Sequence, residues 1–107
     1  PLMKWMFGKY VSDPAQRGND LMSPVRASAE RLRGLPATLI VVAENDILRD
    51  EGEAMGRRLD EAGVEVTTVR FNGVVHDWGM LNGFAALHPT RTLIRLVGSV
   101  LRDYLEK

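Results

Sequence analysis

A short, continuous run of apolar residues, Thr-Leu-Ile-Val-Val-Ala, occupies residues 38–43 of this 107-residue chain. Pro36 precedes the run, and the polar sequence Glu44-Asn45-Asp46 follows it. A run of this length, rich in β-branched residues and without polar alternation, is typical of a strand that is buried on both faces. Such strands occur in parallel sheets that are covered by helices. The run therefore predicts an α/β fold.

A helix and a second strand are predicted directly after this run. The helix at residues 50–62 begins with Asp50 as its N-cap and has Glu53 three residues on, as in a capping box. Gly63 follows the helix and suits the left-handed residue that ends many helices. Residues 65–71 alternate more polar side chains with β-branched ones, which predicts a strand nearer the edge of the sheet.

Helices are also predicted near both ends of the chain, at residues 2–10 and 90–105, because their apolar residues recur at helical spacing. Breaker residues predict a loop at residues 12–24. The pair Asn72-Gly73 predicts a turn after the second strand, and residues 74–86 are expected to be irregular. The predicted order is therefore helix, strand, helix, strand, helix.

A strand-helix-strand unit implies a right-handed crossover between two parallel strands, whose carboxyl ends meet at one edge of the sheet. Asp46 follows the first strand, and His76 lies a few residues past the second. Because neighbouring parallel strands are about 4.8 Å apart, we expect the carboxylate of Asp46 to hydrogen-bond the imidazole of His76. Such a carboxylate fixes the tautomer of the ring and stabilises the imidazolium, which is the orienting half of a nucleophilic triad.

Other interpretations of these residues stay open. Asp46 taken alone also fits a residue that caps a turn, and His76 taken alone also fits an ordinary loop histidine. Asp77 competes with Asp46 as the partner of His76. His88 precedes Pro89 at the entrance of the last predicted helix, and we assign it a structural role.

A triad also needs a nucleophile, and no serine of the chain lies in a G-x-S-x-G elbow. Ser12, Ser23 and Ser28 lack flanking glycines, and Ser99 lies inside the last predicted helix. An oxyanion-hole segment of the His-Gly-Gly type is also absent from the sequence. We therefore expect residues 1–107 to form a single, partial domain without the part that carries the nucleophile.

The residues around Asp46 resemble a known family. Residues 35–54, Leu-Pro-Ala-Thr-Leu-Ile-Val-Val-Ala-Glu-Asn-Asp-Ile-Leu-Arg-Asp-Glu-Gly-Glu-Ala, resemble the acid-bearing region of hormone-sensitive-lipase-like esterases, which typically reads L-P-P-x-L-x-x-x-A-E-x-D-P-L-x-D-E-G. Residues 59–71 continue the match, and Gly73-x-x-His76 resembles the histidine loop G-x-x-H-G-F of that family. The resemblance implies the C-terminal part of an α/β-hydrolase fold. It also implies a carboxylic-ester hydrolase in which Asp46 is the triad acid and His76 the triad base.

The chain departs from the family pattern in two places. Ile47 stands where the family usually has proline, which is expected to loosen the turn after Asp46. Asp77-Trp78 stands where Gly-Phe is usual. Asp77 places a carboxylate beside the histidine and is expected to alter its tautomer or charge state. Trp78 is bulkier than phenylalanine and is expected to reshape an acyl pocket.

Composition and motifs limit the kinds of partner and cofactor that are expected. Fourteen basic and fourteen acidic residues give a formal net charge of zero, which does not favour nucleic acid or a charged membrane surface. No stretch is long and apolar enough to span a bilayer, and no signal-peptide pattern opens the chain, so a cytoplasmic location is expected. The sequence has no cysteine, two histidines and no G-x-G-x-x-G or G-x-x-x-x-G-K-[ST] loop, so no metal or other cofactor is expected.

Two functions from different classes are therefore predicted. In the first, implied by the resemblance, the chain is the end of an esterase that acts on a small acyl ester and is inactive alone. In the second, it is a non-catalytic association module derived from a hydrolase end. The strand at residues 38–43 calls for neighbours on both sides, and a two-stranded sheet is marginal alone. Self-association, or pairing with a missing N-terminal portion through the exposed strand, is therefore expected.

Overall fold

The computed structural model describes residues 2–107. Its α-helices are α1 (Leu2–Tyr10), α2 (Ala29–Leu32), α3 (Arg49–Glu61) and α4 (His88–Leu105), and its strands are β1 (Thr38–Asn45) and β2 (Val66–Val75). Short 3₁₀ turns occur at Pro14–Gly18, Pro24–Arg26 and Asn82–Phe84. The five long elements follow the predicted order of helix, strand, helix, strand and helix. None of the helices within residues 2–107 is long and apolar enough to cross a membrane.

The two strands pair in parallel, and α3 makes the crossover between them. Thr38 is opposite Val66, and the register runs without a break to Ala43, which is opposite Phe71. Side chains alternate between the faces of the sheet, so each face meets a different helix. The α/β class and the parallel crossover predicted from the sequence are therefore confirmed.

One face of the sheet packs on α3. Ile40 and Val42 of β1 point to this face, where they lie close to Gly52 of α3. The buried cluster here also contains Leu59, whose side chain is only 2% exposed. Burying a leucine of this kind stabilises the fold by about 1.5–3 kcal/mol relative to leaving it exposed. The cluster consists of Ala27, Leu32, Leu59, Ala62 and Val64, with Ile40, Met55 and Val66 against it.

The opposite face carries a second cluster, which includes Leu93 of α4. Ala43 and Trp78 are buried in it, and the ring centroids of Phe71 and Trp78 are 5.4 Å apart. Within β1, only Val42 and Ala43 are fully buried, whereas residues 38–41 are half-buried and Asn45 is exposed. The prediction of a strand buried on both faces therefore holds fully only at Val42 and Ala43.

The predicted start of α3 is wrong in its details. The helix begins one residue earlier, and its N-cap is Leu48, which makes no side-chain capping bond. Asp50 lies in the first turn and pairs with Arg49, so it is not the N-cap. Glu53 does not complete a capping box, because its carboxylate binds Arg70 of β2. The prediction that a left-handed glycine follows the helix is confirmed, since Gly63 has a φ of +81°.

The predicted end of the second strand is also wrong. Asn72-Gly73 does not turn the chain, and β2 continues to Val75. Between the pairs Ala43–Phe71 and Asn45–Val75, β1 advances two residues while β2 advances four. The Asn-Gly pair therefore lies in a bulge of β2, where Gly73 has a φ of +74° that glycine adopts without strain.

Candidate active site

Asp46 follows the last residue of β1, and its carboxylate has two hydrogen-bond partners. Oδ1 accepts from the backbone N–H of Leu48 at 2.8 Å, which closes the turn that leads into α3. Oδ2 lies 2.7 Å from Nδ1 of His76. The side chain of Asp46 is only 12% exposed. The turn-capping interpretation and the histidine-partner interpretation therefore hold together, each through one oxygen.

His76 follows the last residue of β2, and its position explains the contact with Asp46. Asn45 and Val75 form the last pair of the sheet. Asp46 is the residue after Asn45, and His76 is the residue after Val75. An ionised carboxylate only accepts hydrogen bonds, so Nδ1 of the ring carries the proton that is donated to Asp46. In the neutral ring, Nε2 is then the nitrogen that can accept a proton, on a side chain that is 54% exposed.

The charges of the pair shift both pKa values. The hydrogen bond to Asp46 raises the pKa of His76 above its usual range, and the negative charges of Asp46 and Asp77 act in the same direction. Burial pushes the pKa of Asp46 upward, but the hydrogen bonds from Leu48 and His76 outweigh it, so the pKa of Asp46 is lowered. Asp46 is therefore ionised near neutral pH and favours the charged form of the ring.

Asp77 also contacts the ring, from the other side. Its Oδ2 lies 3.3 Å from Nε2 of His76. Asp77 has a φ of +59°, a left-handed conformation that aspartate tolerates better than most residues. The structure thus places Asp46 and Asp77 at different nitrogens, and the sequence had left open which of the two would bind His76.

An apolar cleft of about 440 Å³ lies beside the histidine. Asp46, His76 and Trp78 line it, together with the second half of β1 and residues of α4. Trp78 is 6% exposed, and its indole Nε1 has no hydrogen-bond partner among the described residues. Ile47, the other departure from the family pattern, is 75% exposed. Trp78 therefore shapes the wall of the cleft, whereas Ile47 points to solvent.

Glu44 also reaches β2 and was not predicted to do so from the sequence. Its Oε2 accepts a hydrogen bond from the backbone N–H of Gly73 at 2.6 Å, inside the bulge of β2. Its backbone carbonyl accepts from Arg49 Nη1, also at 2.6 Å. The only signal in the sequence was the spacing of Glu44 and Asp46, two residues apart at the end of a strand. That spacing does not reveal which atoms of β2 they reach.

Among residues 2–107, neither the serines nor the second histidine hydrogen-bonds the Asp46–His76 pair. Within residues 2–107, no serine hydroxyl hydrogen-bonds the ring of His76. Ser23 donates to the carbonyl of Arg17, and Ser28 caps α2. His88 is the first residue of α4. The same residues contain no cluster of three or more histidine, cysteine or acidic side chains that could hold a metal.

Asp46 therefore holds His76, and each residue follows the end of one of two adjacent parallel strands. Residues 1–80 match the family model of the alpha/beta hydrolase fold. The chain belongs to this α/β-hydrolase fold family. The predicted resemblance to hormone-sensitive-lipase-like esterases is confirmed as well. Brefeldin A esterase, a bacterial homologue of human hormone-sensitive lipase, superposes with a TM-score of 0.77 at 34% identity, over 85% of this chain and 26% of its own.

Other members of the α/β-hydrolase family are more similar. A thermostable esterase from Pseudomonas putida ECU1011 is 47% identical, with a TM-score of 0.87 over 90% of this chain. An arylesterase of Saccharolobus solfataricus is 37% identical over 94 residues, or 88% of this chain. The chain spans 30% of the Pseudomonas esterase and 28% of the arylesterase. It is therefore similar to a portion, and not to the whole, of each of these hydrolases.

Proposed function

We propose that this chain supplies the acid and the base of a Ser-His-Asp triad in a carboxylic-ester hydrolase. The observation that carries the proposal is the 2.7 Å hydrogen bond between His76 Nδ1 and Asp46 Oδ2. In the neutral ring, the lone pair of Nε2 is then the proton acceptor, which is the orientation that nucleophilic catalysis requires, and Asp77 Oδ2 lies 3.3 Å from this nitrogen. The esterases among its relatives support a small acyl ester as the substrate class.

The serine of this triad lies, on this proposal, outside residues 1–107. His76 Nε2 takes the proton of the serine hydroxyl as its oxygen attacks the ester carbonyl, and Asp46 stabilises the imidazolium that forms. The proton then passes to the departing alkoxide, which leaves as the alcohol. Water attacks the acyl-serine in the same way, releasing the carboxylic acid and restoring the serine. Residues 1–107 form a single partial domain and are inactive alone, because they contain no nucleophile elbow.

The first experiment is to read the coding sequence upstream of Pro1. An in-frame G-x-S-x-G elbow would define the longer protein, in which hydrolysis of p-nitrophenyl acetate is measured. We expect Asp46→Asn to lower kcat about 10⁴-fold, and His76→Ala by at least as much. His88→Ala is the matched control, because His88 is the other histidine and lies at the start of α4. Full activity in His76→Ala would exclude this triad assignment.

The second candidate is an association module that uses the open edge of β1. Within residues 2–107, β1 pairs with β2 on one edge and has no strand on the other. The cleft beside that edge is mostly apolar and is lined by Val41, Leu48 and Val97, among others. An unpaired edge next to apolar surface is a template for another strand, from a second copy or from an N-terminal portion of a longer protein.

Sedimentation velocity of the purified chain at micromolar concentration tests this second candidate. Association predicts a species heavier than the 11.9 kDa monomer, with a population that rises with concentration. A stable monomer would exclude self-association. Ester hydrolysis by the longer protein that is lost in His76→Ala would favour the esterase over a module without catalysis.

A further inference from the structure

The bulge of β2 determines where His76 lies relative to the end of β1. Phe71 is the last residue in the regular register, and Val75 resumes pairing at Asn45 of β1. Two extra residues of β2 are accommodated between these pairs. Because side chains alternate along a strand, a bulge with one residue more or fewer would turn the following side chains to the other face. The length and shape of the bulge therefore determine whether the ring of His76 can reach Asp46.

Glu44 is the β1 residue that lies opposite this bulge, between Ala43 and Asn45. Its Oε2 accepts the backbone N–H of Gly73 at 2.6 Å, at the residue of the bulge that has a φ of +74°. A carboxylate that accepts a backbone N–H makes one of the stronger hydrogen bonds available to a side chain. The side chain of Glu44 thus fixes the middle of the bulge to the neighbouring strand.

The backbone of Glu44 is held as well. Its carbonyl accepts from Arg49 Nη1 at 2.6 Å, and Arg49 is the first residue of α3. Glu44 is therefore connected to α3 through its main chain and to β2 through its side chain. Asp46, two residues on, also has two partners, and its carboxylate makes both contacts, with the amide of Leu48 and with Nδ1 of His76.

We propose that Glu44 is a positioning residue for the histidine: by holding the N–H of Gly73, it sets the bulge that places His76 within hydrogen-bonding distance of Asp46. This inference deepens the proposed function and rests on it for its catalytic meaning. The role is geometric, because the side chain of Glu44 binds the N–H of Gly73, whereas the ring of His76 is hydrogen-bonded by Asp46. Glutamine at position 44 retains an oxygen that accepts the Gly73 N–H, whereas alanine does not.

Proton and nitrogen NMR of the labelled 107-residue chain tests the proposal. We expect Glu44→Ala to weaken the low-field Nδ1–H signal of His76 and to lower the pKa of His76. Glu44→Gln should restore both to nearly the wild-type state, and Glu61→Ala, an exposed acid at the end of α3, should leave both unchanged. Equal losses in Glu44→Ala and Glu44→Gln would indicate a charge effect and overturn the geometric role. An unchanged signal in Glu44→Ala would overturn it too.

Hydrogen exchange at the amide of Gly73 provides a test that needs no substitution. Gly73 is exposed, so its N–H should exchange rapidly unless Glu44 holds it, and we expect protection. Exchange at the rate of an unstructured peptide would overturn the proposal even if Glu44→Ala failed to fold.

In the longer esterase, we expect Glu44→Ala to lower kcat by about 10²-fold with little change in KM, because a small misplacement of the base has this effect. Activity that survives His76→Ala would refute the triad but leave the NMR result standing.

Discussion

Asp77 Oδ2 lies 3.3 Å from Nε2 of His76, at the opposite nitrogen from the one that Asp46 binds. The imidazole is therefore flanked by two carboxylates, one 12% exposed and the other 50% exposed. The buried partner makes the shorter contact and is the larger cause of the raised pKa of His76. Asp77 adds charge at the nitrogen that a general base needs free, and solvent weakens its effect.

The first prediction concerns this second carboxylate. Asp77→Asn should lower the pKa of His76, because it removes a negative charge that stabilises the imidazolium. A general base acts in its neutral form, so activity falls as pH falls through the pKa of His76. In the longer esterase, the acidic limb of kcat/KM should therefore move to lower pH in Asp77→Asn. Asparagine also tolerates the left-handed conformation at this position.

An NMR titration of His76 in the chain checks the pKa, with Asp60→Asn, an exposed substitution on α3, as the control. An unchanged pKa of His76 in Asp77→Asn would show that the 3.3 Å contact does not influence the ring in solution.

The second prediction is a pH window of stability for the Asp46–His76 pair. The raised pKa of His76 contributes stability that is fully present below its unfolded value of 6.5 and is lost as pH rises through the folded value. The lowered pKa of Asp46 contributes stability that is present above 3.8 and is lost as pH falls through its folded value. The pair therefore stabilises the fold most between these two values.

Urea unfolding of wild type and Asp46→Asn at pH 5.5 and pH 8.5 measures this window. The destabilisation by Asp46→Asn should be larger at pH 5.5, where the ring is charged in the wild type. Asparagine can still accept the N–H of Leu48, so the turn into α3 is retained in the variant. Equal destabilisation at both pH values would contradict the charged hydrogen bond.

The parts of the site that the sequence predicted are those fixed by regular structure. Two parallel strands joined by a helix bring their carboxyl ends together, so Asp46 and His76 could be placed at one edge from the pattern alone. The bulge was not predictable, because Asn72-Gly73 fits a turn as well as a bulge, and the choice depends on a contact with Glu44, 29 residues away.

The start of α3 also could not be predicted from the local sequence. Asp50 and Glu53 have the spacing of a capping box, and local sequence supports it. The bidentate pair of Glu53 with Arg70 of β2, at 2.6 and 2.8 Å, takes that carboxylate away from the helix terminus. Glu53 therefore binds a tertiary partner, Arg70, and not the N-terminus of its own helix. The local sequence does not specify the register of the strand that carries Arg70.

The third prediction concerns Trp78, where the family usually has phenylalanine. Trp78→Phe keeps an aromatic ring beside Phe71 and removes a buried N–H without a partner among the described residues. The lost area and the relieved polar atom oppose each other, so the free energy of unfolding should change by less than about 1.5 kcal/mol. Trp78→Ala should cost about 3–5 kcal/mol, because it opens a cavity in the core.

Urea unfolding curves of the two Trp78 variants measure these changes. Trp5→Ala is the control, because Trp5 is 62% exposed on α1 and its loss should change stability by about 0.5 kcal/mol or less. A large loss in Trp78→Phe would show that the indole N–H has a partner in solution.

The last prediction compares two glycines that allow α3 to pack closely on the sheet with a glycine of α4 that has space for a side chain. A Cβ at Gly52 would lie 2.7 Å from Cγ1 of Val42, and a Cβ at Gly56 would overlap Oγ1 of Thr68. Both glycines face the sheet from α3, so Gly52→Ala and Gly56→Ala should each destabilise the chain by about 1–3 kcal/mol through overpacking. Gly98 of α4 is the matched control, since among the described residues no atom outside the adjoining backbone of its own helix and its chain neighbours lies within 4 Å of its added Cβ. Gly98→Ala should stabilise by about 0.5–1 kcal/mol, because alanine loses less conformational freedom in a helix. Thermal and urea unfolding measure all three, and stabilisation by Gly56→Ala would contradict the close approach of α3 to the sheet.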